Sequence, residues 1–214
     1  MEYLGENLII HEKCYFYNMK TKLLLGCLVA LAIIHSGCNS NHRHNHNFES
    51  IPLPDGFTGR TENGKYKIYT DTGAGMSKNN IGSIKSIEPT DKDFATILNS
   101  FDAKIYLNKR IQYTAYVKSK NVTGWAGLWM RVDAADPMHN RSLAFDNMQG
   151  RAIKGTTDWT KYSVVLDVSR EANEVYYGVL LADHGQIWID SINLKVVGDS
   201  VPVTDMNRKT PGSK

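Results

Sequence analysis

Between Tyr66 and Val197, apolar residues recur mostly at every second position, in short runs separated by Gly, Asn, Asp and Pro. Successive side chains of a strand point to opposite faces of a sheet, so a period of two predicts strands. The clearest run is Gly124 to Asp133. Ala126, Leu128, Met130 and Val132 fall on one face, and Trp125, Gly127, Trp129, Arg131 and Asp133 fall on the other. The first face is core material. The second is a candidate ligand surface, with Gly127 leaving a flat shelf between two indole rings.

The same reading predicts strands over Tyr66–Thr70, Ile81–Ile87, Arg110–Lys118, Ser142–Met148, Tyr162–Val168, Val175–Ala182 and Ile187–Val197, and favours one over Phe94–Ala103. In the Arg110 run, Ile111, Tyr113, Ala115 and Val117 alternate with Gln112, Thr114, Tyr116 and Lys118. Tyr162, Val164, Leu166 and Val168 face inward. In the last run Trp188, Asp190, Ile192, Leu194 and Val196 share a face, which places Asp190 among apolar neighbours. Thr156–Trp159 and Asp183–Gln186 read as turns, with His184 exposed, and Thr72–Asn80 and Ala134–Arg141 as loops. Many short strands without a strong helical period predict an all-β protein, a β-sandwich, with a jelly roll the favoured topology.

Composition changes this picture little. The 214 residues are 42% hydrophobic and 22% charged, ordinary for a globular chain. A net charge of +3 with no dense Lys/Arg block argues against a nucleic-acid partner. Cys14, Cys27 and Cys38 all precede the predicted strands, so the body has no disulfide, thiolate nucleophile or cysteine metal site.

The N-terminal part has a different character. Lys20 and Lys22 precede an apolar run from Leu23 to Ile34, shorter than the roughly 20 residues of a membrane span. This is the layout of a secretory signal. The run ends in His35-Ser36-Gly37-Cys38, which resembles a bacterial lipobox apart from His35. The resemblance implies cleavage before Cys38 and lipidation of its thiol. The chain then divides into an upstream extension (1–18), a lipoprotein signal (19–37), a polar tether (38–46), a β-sandwich binding domain (47–197) and a flexible tail (198–214). An uncleaved N-terminal anchor is the alternative. Either way the domain is expected in the bacterial cell envelope, outside the cytoplasm and attached to a membrane. His42, His44 and His46 in the tether could catch a transition metal if extended, but nothing fixes their geometry, and a solvated spacer is the favoured reading.

Two resemblances extend the reading. Asn47-Phe48-Glu49 followed by Pro54-Asp55-Gly56-Phe57, the Arg110–Ser119 strand, and Ile187-Trp188-Ile189-Asp190-Ser191-Ile192 resemble the galactose-binding-like jelly rolls of carbohydrate-binding modules, over about residues 47 to 197. Gly124–Asp133, Leu143–Met148, Ile153–Trp159 and Gly178–Leu181 are similar to a bacterial domain that also occurs behind DNA-binding regions of transcription regulators. This chain has no helix-turn-helix pattern, so a regulator role does not carry over.

The carbohydrate-module resemblance implies two sites. One is an aromatic saccharide surface of Trp125, Trp129, Arg131 and Tyr116, from which Trp125→Ala or Trp129→Ala should remove binding at little cost in stability. Its alternatives are tryptophans that serve as core and an Arg131 that simply pairs with Asp133 or Asp146. The other is a structural Ca²⁺ held by Glu49 and Asp190, although an arginine or a backbone donor would serve Asp190 as well. Asp133, Asp136, His139, Asp146 and Asp183-His184 could carry acid/base chemistry, but none has the spacing of a catalytic motif. The expected role is therefore non-catalytic: a lipoprotein that binds a carbohydrate or similar polar molecule. The alternative partner is another envelope protein docked on the aromatic face.

Overall fold

A computed structural model describes residues 53, 56–61, 63–77, 81–88, 93–135 and 141–208. Cys38, Glu49, the three tether histidines, Asp136 and His139 lie outside them, as do the signal and the upstream segment. Among the described residues no helix is long and apolar enough to cross a membrane.

The described chain is almost entirely antiparallel strand: β1 (Thr58–Thr61), β2 (Tyr66–Asp71), β3 (Ile81–Ser86), β4 (Phe94–Asp102), β5 (Lys109–Ala134), β6 (Ser142–Asp146), β7 (Ile153–Val168), β8 (Ala172–Ala182) and β9 (Gln186–Val197). Two short 3-10 turns, Ala103–Tyr106 and Gln149–Arg151, interrupt them. The predicted all-β class is what the chain adopts.

The organising element is β5. The Arg110 and Trp125 runs, separate strands in the sequence reading, form one strand of 26 residues. Its first half pairs with β7 on one side and β9 on the other. Its second half pairs with β6 and β8. Between the halves the β7 register shifts three times, and Asn121 adopts a left-handed φ of 52°. Such irregularities bend a strand and increase its twist, and here they carry β5 from one leaf of the sandwich to the other. The first leaf runs β6-β5-β8-β4-β1, and the second runs β7-β5-β9-β3-β2.

The apolar phase of both halves of β5 forms the core between the leaves. Ile111, Tyr113, Ala115 and Val117 from the second leaf, and Ala126, Leu128, Met130 and Val132 from the first, are all fully buried. The leaves touch through Tyr113 and Tyr177, whose ring centroids lie 5.2 Å apart edge to face. β7 contributes Val164, Leu166 and Val168, as its alternation predicts. It also runs unbroken from Ile153, so the turn expected at Thr156–Trp159 is strand.

The exposed edges of the two leaves are managed. β1 and β2 approach so closely that a Cβ at Gly59 would lie 2.7 Å from the Ile68 side chain. On the other side the C-terminal segment laces β7 to β6. Val165 donates to Thr204 Oγ1, Thr204 donates to the Val165 carbonyl, and Phe145 N–H donates to Asp205 Oδ1 while its carbonyl accepts from Met206. A loose tail was expected from Gly198, but this part of it caps two strand edges that would otherwise offer free backbone groups.

Candidate functional site

The outer face of the second leaf carries a groove of about 330 Å³ along β7, β5 and β9. It is built as a small grid. Tyr116 on β5 stands beside Lys161 on β7, Thr114 stands between Ser163 and Asn193, and Gln112 faces Lys195 on β9. These are the polar phase of β5, opposite the buried Tyr113 and Ala115, so one alternation makes both the core and the groove floor.

The third column depends on a defect. Tyr116 pairs with Asp190 but Thr114 pairs with Asn193, so β9 holds one extra residue there, and Ser191 takes a left-handed φ of 53°. An inserted residue reverses the side-chain phase beyond it. Ile187 and Ile189 face the core before the bulge, and Ile192 and Leu194 pack against it afterwards. Ser191, Asn193 and Lys195 therefore line the groove. The single apolar face expected for Trp188, Asp190, Ile192, Leu194 and Val196 does not exist, because the bulge splits it. Trp188 sits on the outer side, its indole N–H donating to Asp71 Oδ2 at 2.9 Å.

Asp190 is buried at the bulge and fully partnered. Ser77 donates its backbone N–H to Oδ2 and its hydroxyl to Oδ1, at 2.9 and 2.7 Å. Ser191 donates its N–H and hydroxyl to Oδ1, at 2.5 and 3.2 Å. Burial by itself would raise this carboxyl's pKa, but the hydrogen bonds from Ser77 and Ser191 outweigh it and hold the pKa below the ordinary value. These donors already serve Asp190 without a metal; Glu49, the other residue implied for Ca²⁺, lies outside the described residues, which include no group of three acidic, His or Cys side chains that could hold a metal.

The tryptophans lie elsewhere. Trp125, Trp129 and Arg131 are on the outer face of the first leaf, so Tyr116 does not join them: β5 has crossed leaves between Tyr116 and Trp125. The open shelf over Gly127 is also absent. A Cβ there would meet the Asn147 carbonyl and Met148 Cβ, both at 2.8 Å, because the turn after β6 covers the gap. Both rings are partly buried, and Trp129 Nε1 donates to Thr96 Oγ1 at 2.8 Å.

Arg131 pairs with Asp133 at 2.8 Å and lies 5.1 Å from the Tyr176 ring centroid. Burial raises the Asp133 pKa, against the lowering effect of Arg131. Asp146, the other carboxylate considered for Arg131, is fully buried and paired with Arg151 at 2.5 Å. His184 is exposed, as predicted, with Nδ1 3.0 Å from Ser86 Oγ. These acidic groups are committed to structural pairs rather than gathered in a cleft.

Sequence reasoning found Tyr116 but missed Gln112, Thr114, Lys161, Ser163, Ser191, Asn193 and Lys195. Gln112 and Thr114 were legible as the polar phase of the Tyr116 strand. Asn193 and Lys195 alternate with apolar residues too, but their phase relative to Trp188 could not be read without the bulge.

The fold and groove define an antiparallel β-sandwich with a polar surface cleft. No family model matches the chain. It is 43% identical over 133 residues to YbfP of Bacillus subtilis strain 168, described as an uncharacterized HTH-type transcriptional regulator; the match covers 61% of this chain and 43% of that protein. The expected kinship with a domain found in transcription regulators is met by this match. Among solved structures, the CBM22-1 xylan-binding domain of Paenibacillus barcinonensis aligns over 68% of this chain and 88% of its own length, at 16% identity and a TM-score of 0.49. The enzymatically active domain of bacteriophage CBA120 tailspike protein 4 aligns over 67% of this chain and 20% of that one, at 12% identity and 0.48. A Stig cyclase of Fischerella sp. aligns over 69% and 88%, at 15% identity and 0.46. A fold likeness at this level spans a binding domain and enzymes and says nothing of chemistry.

Proposed function

We propose that the chain binds a carbohydrate, or a similarly hydroxyl-rich polar ligand, in the β7–β5–β9 groove and does not transform it. The observation that carries this reading is the groove's lining. Its volume falls in the range of small-molecule sites. The Tyr116 ring offers an apolar face, and Gln112, Thr114, Ser163 and Asn193 surround it with donors and acceptors. Among the described residues no hydrogen bond engages the side chains of Gln112 or Asn193, so both are free for a ligand's hydroxyls. The lining holds no carboxylate, histidine or cysteine, so it offers neither an acid/base pair nor a nucleophile of those kinds. Calorimetric titration of a neutral and acidic oligosaccharide panel tests the reading: Tyr116→Ala should abolish heat release for any saccharide the wild type binds, with unfolding unchanged. Binding that survives Tyr116→Ala would place the ligand elsewhere.

A second reading keeps the first leaf as a docking face for another envelope protein. Its support is the partly exposed cluster of Trp125, Trp129, Arg131 and Tyr176, residue types enriched at interfaces.

The lipobox-like sequence supports a lipid anchor at Cys38 and an extracytoplasmic location. Cys38→Ser should shift the expressed protein from the membrane fraction to the soluble fraction and abolish incorporation of labelled palmitate. An unchanged distribution would remove the anchor from the account.

A further inference from the structure

We infer that the groove is selective for anionic saccharides, those whose chain carries carboxylate or sulfate groups. This rests on the carbohydrate reading of the same groove and adds the charge class of the ligand. The outer face of this leaf pairs its cations above and below the groove. Arg110 meets Asp167 at 2.6 Å, and Lys118 meets Asp158 at 3.3 Å. Between them the groove's own cations, Lys161 and Lys195, have no ion pair among the described residues, and no acidic side chain lines the site. The nearest acidic neighbour in register, Asp190, accepts from Ser77 and Ser191 and forms no ion pair with either lysine.

The placement of the two lysines sets a length. Lys161 stands beside Tyr116 and Lys195 beside Gln112, four positions further along β5 and on its opposite flank. At about 3.3 Å per residue the offset along the strand is roughly 13 Å, with two strand spacings of about 4.8 Å across. That separation exceeds one hexose ring, so the lysines address charges on different residues of an oligomer. Lys161 Nζ lies 6.0 Å from the Tyr116 ring centroid. A sugar stacked on Tyr116 would thus bring an acidic substituent beside a cation already poised over the ring.

The experiment uses matched probes: a short oligogalacturonide against its carboxyl-reduced form, and a short sulfated galactan against its desulfated form, each titrated calorimetrically. The expected result is that at least one charged probe binds roughly tenfold or more tightly than its neutral counterpart. The preference should shrink as salt rises and be lost in Lys161→Gln/Lys195→Gln, while Lys154→Gln, outside the groove lining, leaves it unchanged. Which pair shows the preference tells carboxylate from sulfate. Neutral probes binding as well as charged ones, or a preference unaffected by the double substitution, would overturn the selectivity while leaving the saccharide site standing. A blank with all four probes would remove both the selectivity and the saccharide site.

Discussion

Trp129 and Asp190 illustrate how a side chain's neighbours decide its role. Trp129 has the chemistry of a stacking platform, yet its N–H is bonded to Thr96 and the gap beside it is filled by the turn after β6. It acts mainly as a cover for the first leaf. Trp129→Ala should therefore cost about 2 kcal/mol, roughly half a full core truncation, in urea unfolding, and leave saccharide binding in place; loss of binding with full stability would return it to a ligand role. Asp190 reads from sequence as a lone acid on an apolar face, but it is the hub that ties Ser77 to the β9 bulge. Its folded pKa is held down, so the stability it contributes is present above the ordinary aspartate value near 4 and is lost as pH falls through the depressed folded value. Asp190→Asn should be less stable than wild type at pH 7 by about 1–2 kcal/mol, with the gap closing progressively below about pH 4. A gap that stays constant with pH would show that the carboxylate's charge is not what matters.

Elements were legible in proportion to how local their causes are. The alternations in β5 and β7 placed their core residues correctly, because periodicity alone fixes which side chains face the core. What the sequence hid were the places where the backbone departs from a period of two. The bend that joins two predicted strands into β5 centres on residues such as Asn121, which look like a loop until their hydrogen bonds are traced. The bulge at Ser191 reverses half of β9 and so creates one wall of the groove, and a serine in a left-handed conformation leaves no pattern in the sequence. For the same reason Tyr116 was assigned to the tryptophan face: its polar phase was correctly read, but nothing told which leaf it would join. The bulge makes its own prediction. Ser191→Val forces a β-branched residue into a left-handed conformation and removes a hydroxyl from Asp190. It should cost about 1–2 kcal/mol or more in denaturant unfolding, whereas Ser191→Gly should stay within about 1 kcal/mol of wild type. Equal effects from the two would mean that the backbone conformation is not the constraint.

At the scale of the whole molecule, one strand supplies both leaves, and each leaf presents its own polar phase outward. The sandwich thus carries two chemically distinct faces with a shared core. The first leaf bears two partly covered tryptophans, of which Trp129 is hydrogen-bonded to Thr96. The second bears an open groove in which the Gln112 and Asn193 side chains are unengaged among the described residues. The described part of the C-terminal segment ties β6 to β7 through Thr204, Asp205 and Met206. The central claim is that function lies on the β7–β5–β9 face and not on the tryptophan face. The most direct test is calorimetric titration of wild type, Tyr116→Ala and Trp129→Ala with the same oligosaccharide panel. The account predicts that Tyr116→Ala loses the binding seen in wild type while Trp129→Ala, though less stable, retains it. Retention in Tyr116→Ala with loss in a folded Trp129→Ala would contradict it and return the site to the first leaf.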